Sequence, residues 1–188
     1  MAILIKGAMT NLPKRQKVPD TRHAKLVLQA EFGIVSAGEQ PRLIKTMGYG
    51  ECVVLALMEP SRNVGGLAHF DIKTLVKDSI DRVILPEFTQ RGCRSLRAQL
   101  IGGMASAGSI GLARAIKDVM NNNRIKIQGI EINGPDRPAG LLLDPLNSRL
   151  YDIERPLVPD DPIISQRRED ALKYIMANPQ QRLLRLVK

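Results

Sequence analysis

The stretch ECVVLALME (51–59) constrains this chain more than any other. Its Val, Val, Leu, Ala, Leu and Met form an apolar run bounded by Gly50 and Pro60, which reads as a β-strand. The loop EPSRNVGG follows, and then a short strand, GLAHFD. The two strands read as a hairpin, with Cys52 at the start of one and His69 near the end of the other. In an antiparallel pair those ends lie side by side. The chain has only two cysteines and two histidines. One of each brought together leaves two readings open: a buried structural thiol beside a satisfied core histidine, the commoner fate of such residues, or a nucleophile beside its base.

The rest of the chain reads as strands mixed with a few helices. Residues 26–35 and 42–48 are predicted as extended. Leu75, Ile80, Val83 and Ile84 have helical spacing over 73–85, with Pro86 ending or kinking that helix. RSLRAQLIGG is a strand running into the Gly102–Gly103 pair. Residues 109–120 predict an amphipathic helix with Ser109 as N-cap and Ile110, Ala113, Ile116 and Met120 on one face, ended by Asn121–Asn123. RIKIQGIEI alternates with period two, NGPDRP is a turn, and AGLLLD and RLYDI are strands joined by the DPLNS turn. Residues 158–188 read as one or two helices. Without regular βαβ alternation this pattern predicts an α+β layered fold. At 188 residues it is one domain, divided into a basic arm (1–25), a main domain (26–155) and a C-terminal helical extension (156–188) packed on the same domain.

Apolar residues make up 44% of the chain but aromatics only 3%, with no Trp. The core must come from Leu, Ile, Val, Ala and Met, and base-stacking platforms are not expected. The net charge of +9 gathers in PKRQKVPDTRHAK, QRGCRSLR and QQRLLRLVK. No zinc-finger spacing, RNA-binding signature or P-loop accompanies it, so nucleic acid is not expected; solvated surface charge and a basic face for an anionic lipid or an acidic protein partner are the readings left open. No His/Cys/Asp/Glu cluster has ligand spacing, and neither a metal nor another cofactor is expected. There is no CxxC and no run of ~18 apolar residues. The expectation is a cytoplasmic chain without a membrane span, with export as an effector lacking a Sec signal left open. His23 in the arm is expected to be solvent-exposed. Cys93 lies between Arg91 and Arg94, charges that would lower its pKa. It has no histidine or glycine-rich turn beside it and reads as an exposed or half-buried bystander. Asp160–Asp161 and Glu169–Asp170 read as helix-start residues. The apolar residues of LLRLVK are expected to pack on the domain's own core.

Cys52 follows Gly48-Tyr49-Gly50-Glu51. Glycine-rich backbone before a strand can present amide N–H groups to a developing oxyanion, here around Gly50 and Glu51. His69 could stabilise the thiolate and later protonate a leaving group. The Thr46 hydroxyl could hold the imidazole. Tyr49, Gly102 and Gly103 are the candidate substrate-binding positions.

The pattern T-x-G-x-G-x-C, then sixteen residues, then His within GG-x-A-H-F, resembles the chemoreceptor glutamine deamidase family, CheD. The stretches here are TMGYGEC-VV, the loop MEPSRNV and GGLAHF. The resemblance runs on through VSAGEQ, LRAQLIGGM, SIGLARAIKDVM with NNNRIKIQGIEI, and NGPDR with AGLLLDPLNSRLYDI, over roughly residues 30–153. The chain departs from the pattern at Glu51, where the family has Ser, at Tyr49, at Asp71-Ile72-Lys73 after the His-Phe pair, and in the NGPDR turn. The resemblance implies a three-layer β/β/α fold with two stacked mixed sheets and a helical layer, shared with glutamine-deamidating cysteine-hydrolase toxins. It implies Cys52 as nucleophile, His69 as base and acid, and Thr46 as the orienting third member. The expected activity is deamidation of a protein glutamine through a thioester, on a chemoreceptor or another acidic protein, with a regulatory protein partner compatible with the resemblance. Methyl-ester hydrolysis would use the same machinery. The alternative is a catalytically silent binding protein on the same fold that docks an acidic partner.

Overall fold

The structure is a computed structural model that describes residues 19–48, 50–102, 104, 106–132, 140–153 and 162–188. In chain order the strands are β1 (Lys25–Val27), β2 (Glu31–Ser36), β3 (Ile44–Met47), β4 (Val53–Glu59), β5 (Val64–Phe70), β6 (Arg97–Gly102), β7 (Lys126–Glu131), β8 (Gly140–Asp144), β9 (Arg149–Ile153) and β10 (Arg185–Val187). The α-helices are α1 (Val76–Ser79), α2 (Leu85–Gln90), α3 (Ala107–Asn122) and α4 (Pro162–Ala177).

The strands form two mixed sheets, one in the order β1-β3-β8-β9 and one in the order β10-β2-β5-β4-β6-β7. The hairpin expected from the apolar run is β4–β5, antiparallel, and it lies at the centre of the larger sheet. β4 is buried along its whole length because its faces serve different cores. Val53, Leu55 and Leu57 join Phe32, Phe70, Ile84, Leu112 and Ile116 in the core that the sheet shares with the helices. Cys52, Val54, Ala56 and Met58 join Val27, Ile44, Ile101 and Leu141 between the two sheets. Alternation along a strand makes this division possible, and a run apolar on both faces is what a middle layer requires. The architecture is α+β in three layers, sheet on sheet on helices.

Several local expectations change. Pro86 does not end its helix: a π-helical turn at Ile80–Ile84 precedes it, and the helical run continues through Pro86 into α2; a proline lacks the N–H that an interior helical bond would use, and the wider π turn lies where that bond is lost. The N-cap of α3 is Ser106, whose hydroxyl accepts from the Ser109 N–H. Ser109 is buried and otherwise engaged. Leu112 takes the core position expected of Ile110, which is exposed. Glu169–Asp170 lie in the middle of α4 rather than at its start, and Asp160–Asp161 lie outside the described residues, as does the NGPDRP turn. The 156–188 extension is not wholly helical: after α4 it ends in β10, which pairs in parallel with β2. Ala24 is buried against Leu43 and Leu142, and β1 begins at Lys25, so the main fold reaches slightly into the expected arm. Cys93 is buried, while His23 is exposed. No described helix is long and apolar enough to cross a membrane.

Candidate active site at the Cys52 end of the hairpin

The β4–β5 register pairs Val53 with Phe70 and Val54 with His69. Residues directly opposite share a face in an antiparallel pair. Carrying the register one step past the paired residues sets Cys52 opposite Asp71; Cys52 and Val54 belong to the inter-sheet core, and the Asp71 carboxylate is near enough to act on both Cys52 and His69. Across that layer, β3 of the smaller sheet presents Thr46, whose Oγ1 shares a hydrogen bond of 2.9 Å with His69 Nδ1. Thr46 and His69 are buried, and Cys52 is 9% exposed. The structure therefore places the three residues expected to act together on one inter-sheet layer, from β3, from β5 and from the residue that precedes β4. β3 is held close to β8 at this point: a Cβ on Gly140 would stand 2.6 Å from the Thr46 carbonyl oxygen, a distance real side chains do not tolerate.

The loop before Cys52 is pinned by the β6–α3 connection. The Met104 N–H donates to the Gly50 carbonyl at 2.8 Å, and the buried Ser109 hydroxyl donates to the Glu51 carbonyl at 2.8 Å. Gly48 (φ 68°) and Gly102 (φ 111°) take left-handed backbone where this loop and β6 turn. Gly102 pairs with Val53 beside the site. The Glu51 side chain is exposed, turned away from the layer into which Cys52 points. Tyr49 and Gly103 lie outside the described residues.

Burial works against charge at both Cys52 and His69. Burial pushes the Cys52 thiol up to about 12, the Asp71 and Glu51 carboxylates add to that, and the Arg182 guanidinium opposes it. Burial holds the His69 imidazole down at about 4, against the raising effect of Asp71. Burial thus works against both the thiolate and the imidazolium, because neither charge is well solvated in an apolar layer. A thiol beside a neutral imidazole can work as nucleophile and general base once a substrate supplies the developing charge.

Sequence reasoning missed three residues here. Asp71 was visible as a departure from the resembling pattern, and strand alternation alone puts it on the face of His69. Its carboxylate takes Gln29 Nε2 at 3.0 Å, the Lys73 N–H at 2.8 Å, Thr74 Oγ1 at 3.0 Å and Arg182 Nη2 at 2.9 Å. Burial works to raise this carboxyl, yet these hydrogen bonds and the Arg182 charge hold it below the usual carboxylate range. Arg182, over a hundred residues away, carried no local signal. Nor did Ser109, which reads as a cap. Two exposed apolar side chains, Ile72 (55%) and Met104 (51%), stand at the rim. Ile72 lies against Gly108 of α3, and Met104 is tied to Gly50.

A separate cleft of ≈ 470 Å³ opens at the opposite end of the hairpin, bordered by Phe88, Cys93, Arg94, Asn123, Arg124 and Lys126. Burial pushes the Cys93 thiol up, Glu59 adds to this, and Arg62 and Arg91 oppose it. The neighbouring arginines therefore do not make it a reactive thiol. Among the described residues no group of three or more His, Cys, Asp or Glu is placed to hold a metal ion.

No family model matches the chain, and no curated protein matches it in sequence. Among solved structures it shows a distant similarity to the crystal structure of the hypothetical protein YfiH of Bacillus licheniformis, with a TM-score of 0.36 and 14% identity. That match covers 48% of this chain and 46% of YfiH, so the chain spans about half of that protein's length, and at this level the likeness carries no functional argument.

Proposed function

We propose that the chain is a cysteine-dependent hydrolase that deamidates glutamine side chains of a protein substrate. The observation that carries the reading is the 2.9 Å hydrogen bond from Thr46 to His69 Nδ1, made across two sheets on the face that Cys52 shares. Such a bond satisfies a buried imidazole, and it also fixes the ring and sets the tautomer that a general base needs. With Nδ1–H donating to Thr46, Nε2 carries the lone pair. As Cys52 Sγ bonds to the carboxamide carbon, its proton passes to His69 Nε2. Backbone N–H groups of the Gly50–Cys52 turn would hold the oxyanion. The imidazolium then protonates the leaving nitrogen, the C–N bond breaks, and ammonia departs from a thioester. Water attacks the thioester, giving one proton to His69 as the C–S bond breaks, and the thiol is restored beside a glutamate. A methyl ester would follow the same steps with methanol leaving. Ile72 and Met104 at the rim suit a polypeptide substrate, which can cover them while it delivers a side chain.

The test uses acidic, glutamine-containing proteins as probes, with ammonia release and the amide-to-acid mass change as readouts. Hydroxylamine would trap the thioester on Cys52. Ammonia release that survives Cys52→Ala unchanged, or no release from any probe with no trapped acyl group, would sink the reading.

A second reading is favoured by the cleft at the other end. Arg94, Arg124 and Lys126 border it, and among the described residues none of these three side chains forms an ion pair with a carboxylate. A silent binding protein would dock an acidic partner there, with an affinity falling steeply with salt. Loss of binding in Arg94→Glu with Lys126→Glu, alongside an inert Cys52, would select it.

A further inference from the structure

Residues 162–188 are fastened to the fold by three arginines. Arg167 and Arg185 both donate to the buried Glu31 carboxylate, Arg167 at 2.6 Å. Arg182 is buried and pairs with Asp71. Its other terminal nitrogen donates to the Ile175 and Asn178 carbonyls at the end of α4, at 3.1 and 2.7 Å. Its backbone grips the chain after β5: the Leu75 N–H donates to the Arg182 carbonyl at 2.8 Å, and the Arg182 N–H donates to the Lys73 carbonyl at 3.2 Å. A second tie runs through Ala30, a non-glycine residue at φ 61°. Its N–H donates to the His69 carbonyl and its carbonyl accepts from the Arg185 N–H, each at 2.9 Å. His69 and Asp71 are thus both held by the C-terminal segment, one through a backbone relay and one through an ion pair.

We propose that Arg182 is a positioning residue for the Cys52–His69 site, and that docking of residues 162–188 sets the reactivity of Cys52. The inference rests on reading Cys52 and His69 as nucleophile and base. Asp71 lies opposite Cys52 on the face of His69, and a bare carboxylate there would oppose thiolate formation. Arg182 neutralises it in place. Among the described residues, the other groups near Cys52 are these. Glu51 stands beside it in sequence with its side chain exposed, β5 contributes His69, β3 contributes the uncharged Thr46, and the inter-sheet core contributes apolar side chains such as Ile101 and Leu141.

The experiment is alkylation of Cys52 by iodoacetamide in the full chain carrying Cys93→Ser, across the alkaline range. Below its pKa a thiol reacts in proportion to its thiolate fraction, so a displacement of one pH unit reads as about tenfold in rate. Arg182→Gln is expected to slow alkylation about tenfold, Asp71→Asn to speed it, and the double variant to fall between the two single ones, with Arg182→Lys near the parent rate. Equal rates in the folded single variants, or the reverse order that simple loosening of the chain would produce, overturns the proposal. Should Arg182→Gln fail to fold, Asp71→Asn must still react faster than the double variant, and equality there overturns it too. His69→Ala separates the two levels. A Cys52 profile indifferent to His69 removes the nucleophile–base reading, whereas one that responds to His69 but not to Arg182 removes only this inference.

Discussion

At one end of the β4–β5 hairpin the buried Asp71 lies opposite Cys52. At the other end the buried Glu59 lies near the buried Cys93. Both carboxylates are saturated. Glu59 accepts from the Ser61 hydroxyl at 2.6 Å, the Arg94 N–H at 3.0 Å and the Ser95 N–H; Asp71 accepts from two side chains, one backbone N–H and one guanidinium. The difference lies in what else is present. Backbone amides hold Glu59 in a turn. Asp71 shares its face with an imidazole that is itself fixed by a threonine from the second sheet. A buried thiol beside a carboxylate is by itself an inert arrangement, because both factors keep the thiol protonated. Both thiols have arginines acting against the carboxylate; the imidazole on the face of Cys52 is what separates the first end from the second.

The comparison breaks most sharply on activity. Under the proposed reaction, Cys52→Ala should lower ammonia release by about a thousandfold or more, while Cys93→Ala should stay within about twofold. A larger effect at Cys93 would exchange the roles of the two ends. Next in size is acid stability. The folded His69 pKa, about 4 against an ordinary 6.5, means that the unfolded chain takes up its proton first as pH falls. The stability contribution is whole above pH 6.5 and is lost progressively down to about pH 4, a total of roughly 3 kcal/mol. Urea unfolding across that range should show this loss in the parent and a flatter profile in His69→Gln. Equal slopes would show that the imidazole is better solvated than its burial implies.

The carboxylates provide the next comparison. Both are held below their ordinary values of 3.8 (Asp71) and 4.5 (Glu59). Their stabilisation is therefore complete above those values and is lost as pH falls through the lower folded ones. Glu59→Gln, which sets an amide NH2 among backbone donors, should cost about 2 kcal/mol at neutral pH and leave Cys52 alkylation unchanged. Any change in Cys52 reactivity would mean that the ends communicate. The smallest effect is expected at Thr46. Thr46→Val keeps the shape, removes the bond to His69, and should cost about 1 kcal/mol in stability and about tenfold in kcat/KM. A loss in stability with none in kcat/KM would make Thr46 a packing residue.

Much of this was legible in the chain. The apolar run 53–58, its hairpin and the period-two strand at 126–131 follow from side-chain alternation, which is local. The meeting of Cys52 with His69 follows from a hairpin register. Thr46 could be named only through a pattern of spacing, since nothing local says that β3 lies in the opposite sheet. Ser106 and Ser109 show where locality fails. Both are plausible caps, and the choice went to Ser106 because Ser109 is drawn into the interior by the Glu51 carbonyl. Cys93 shows the same failure in charge: Arg91 and Arg94 flank it in sequence, but burial and Glu59 outweigh Arg91 in space.

The sequence by itself determined the layered α+β class, the central hairpin and the pairing of a cysteine with a histidine, because these depend on periodicity and on neighbours a few residues apart. Only the tertiary structure decided that burial works against charge on both residues, and that Arg182 reaches back to the Asp71 carboxylate beside them. Those outcomes depend on desolvation and on Coulomb interactions between groups that only the packing of distant segments brings within a few ångströms.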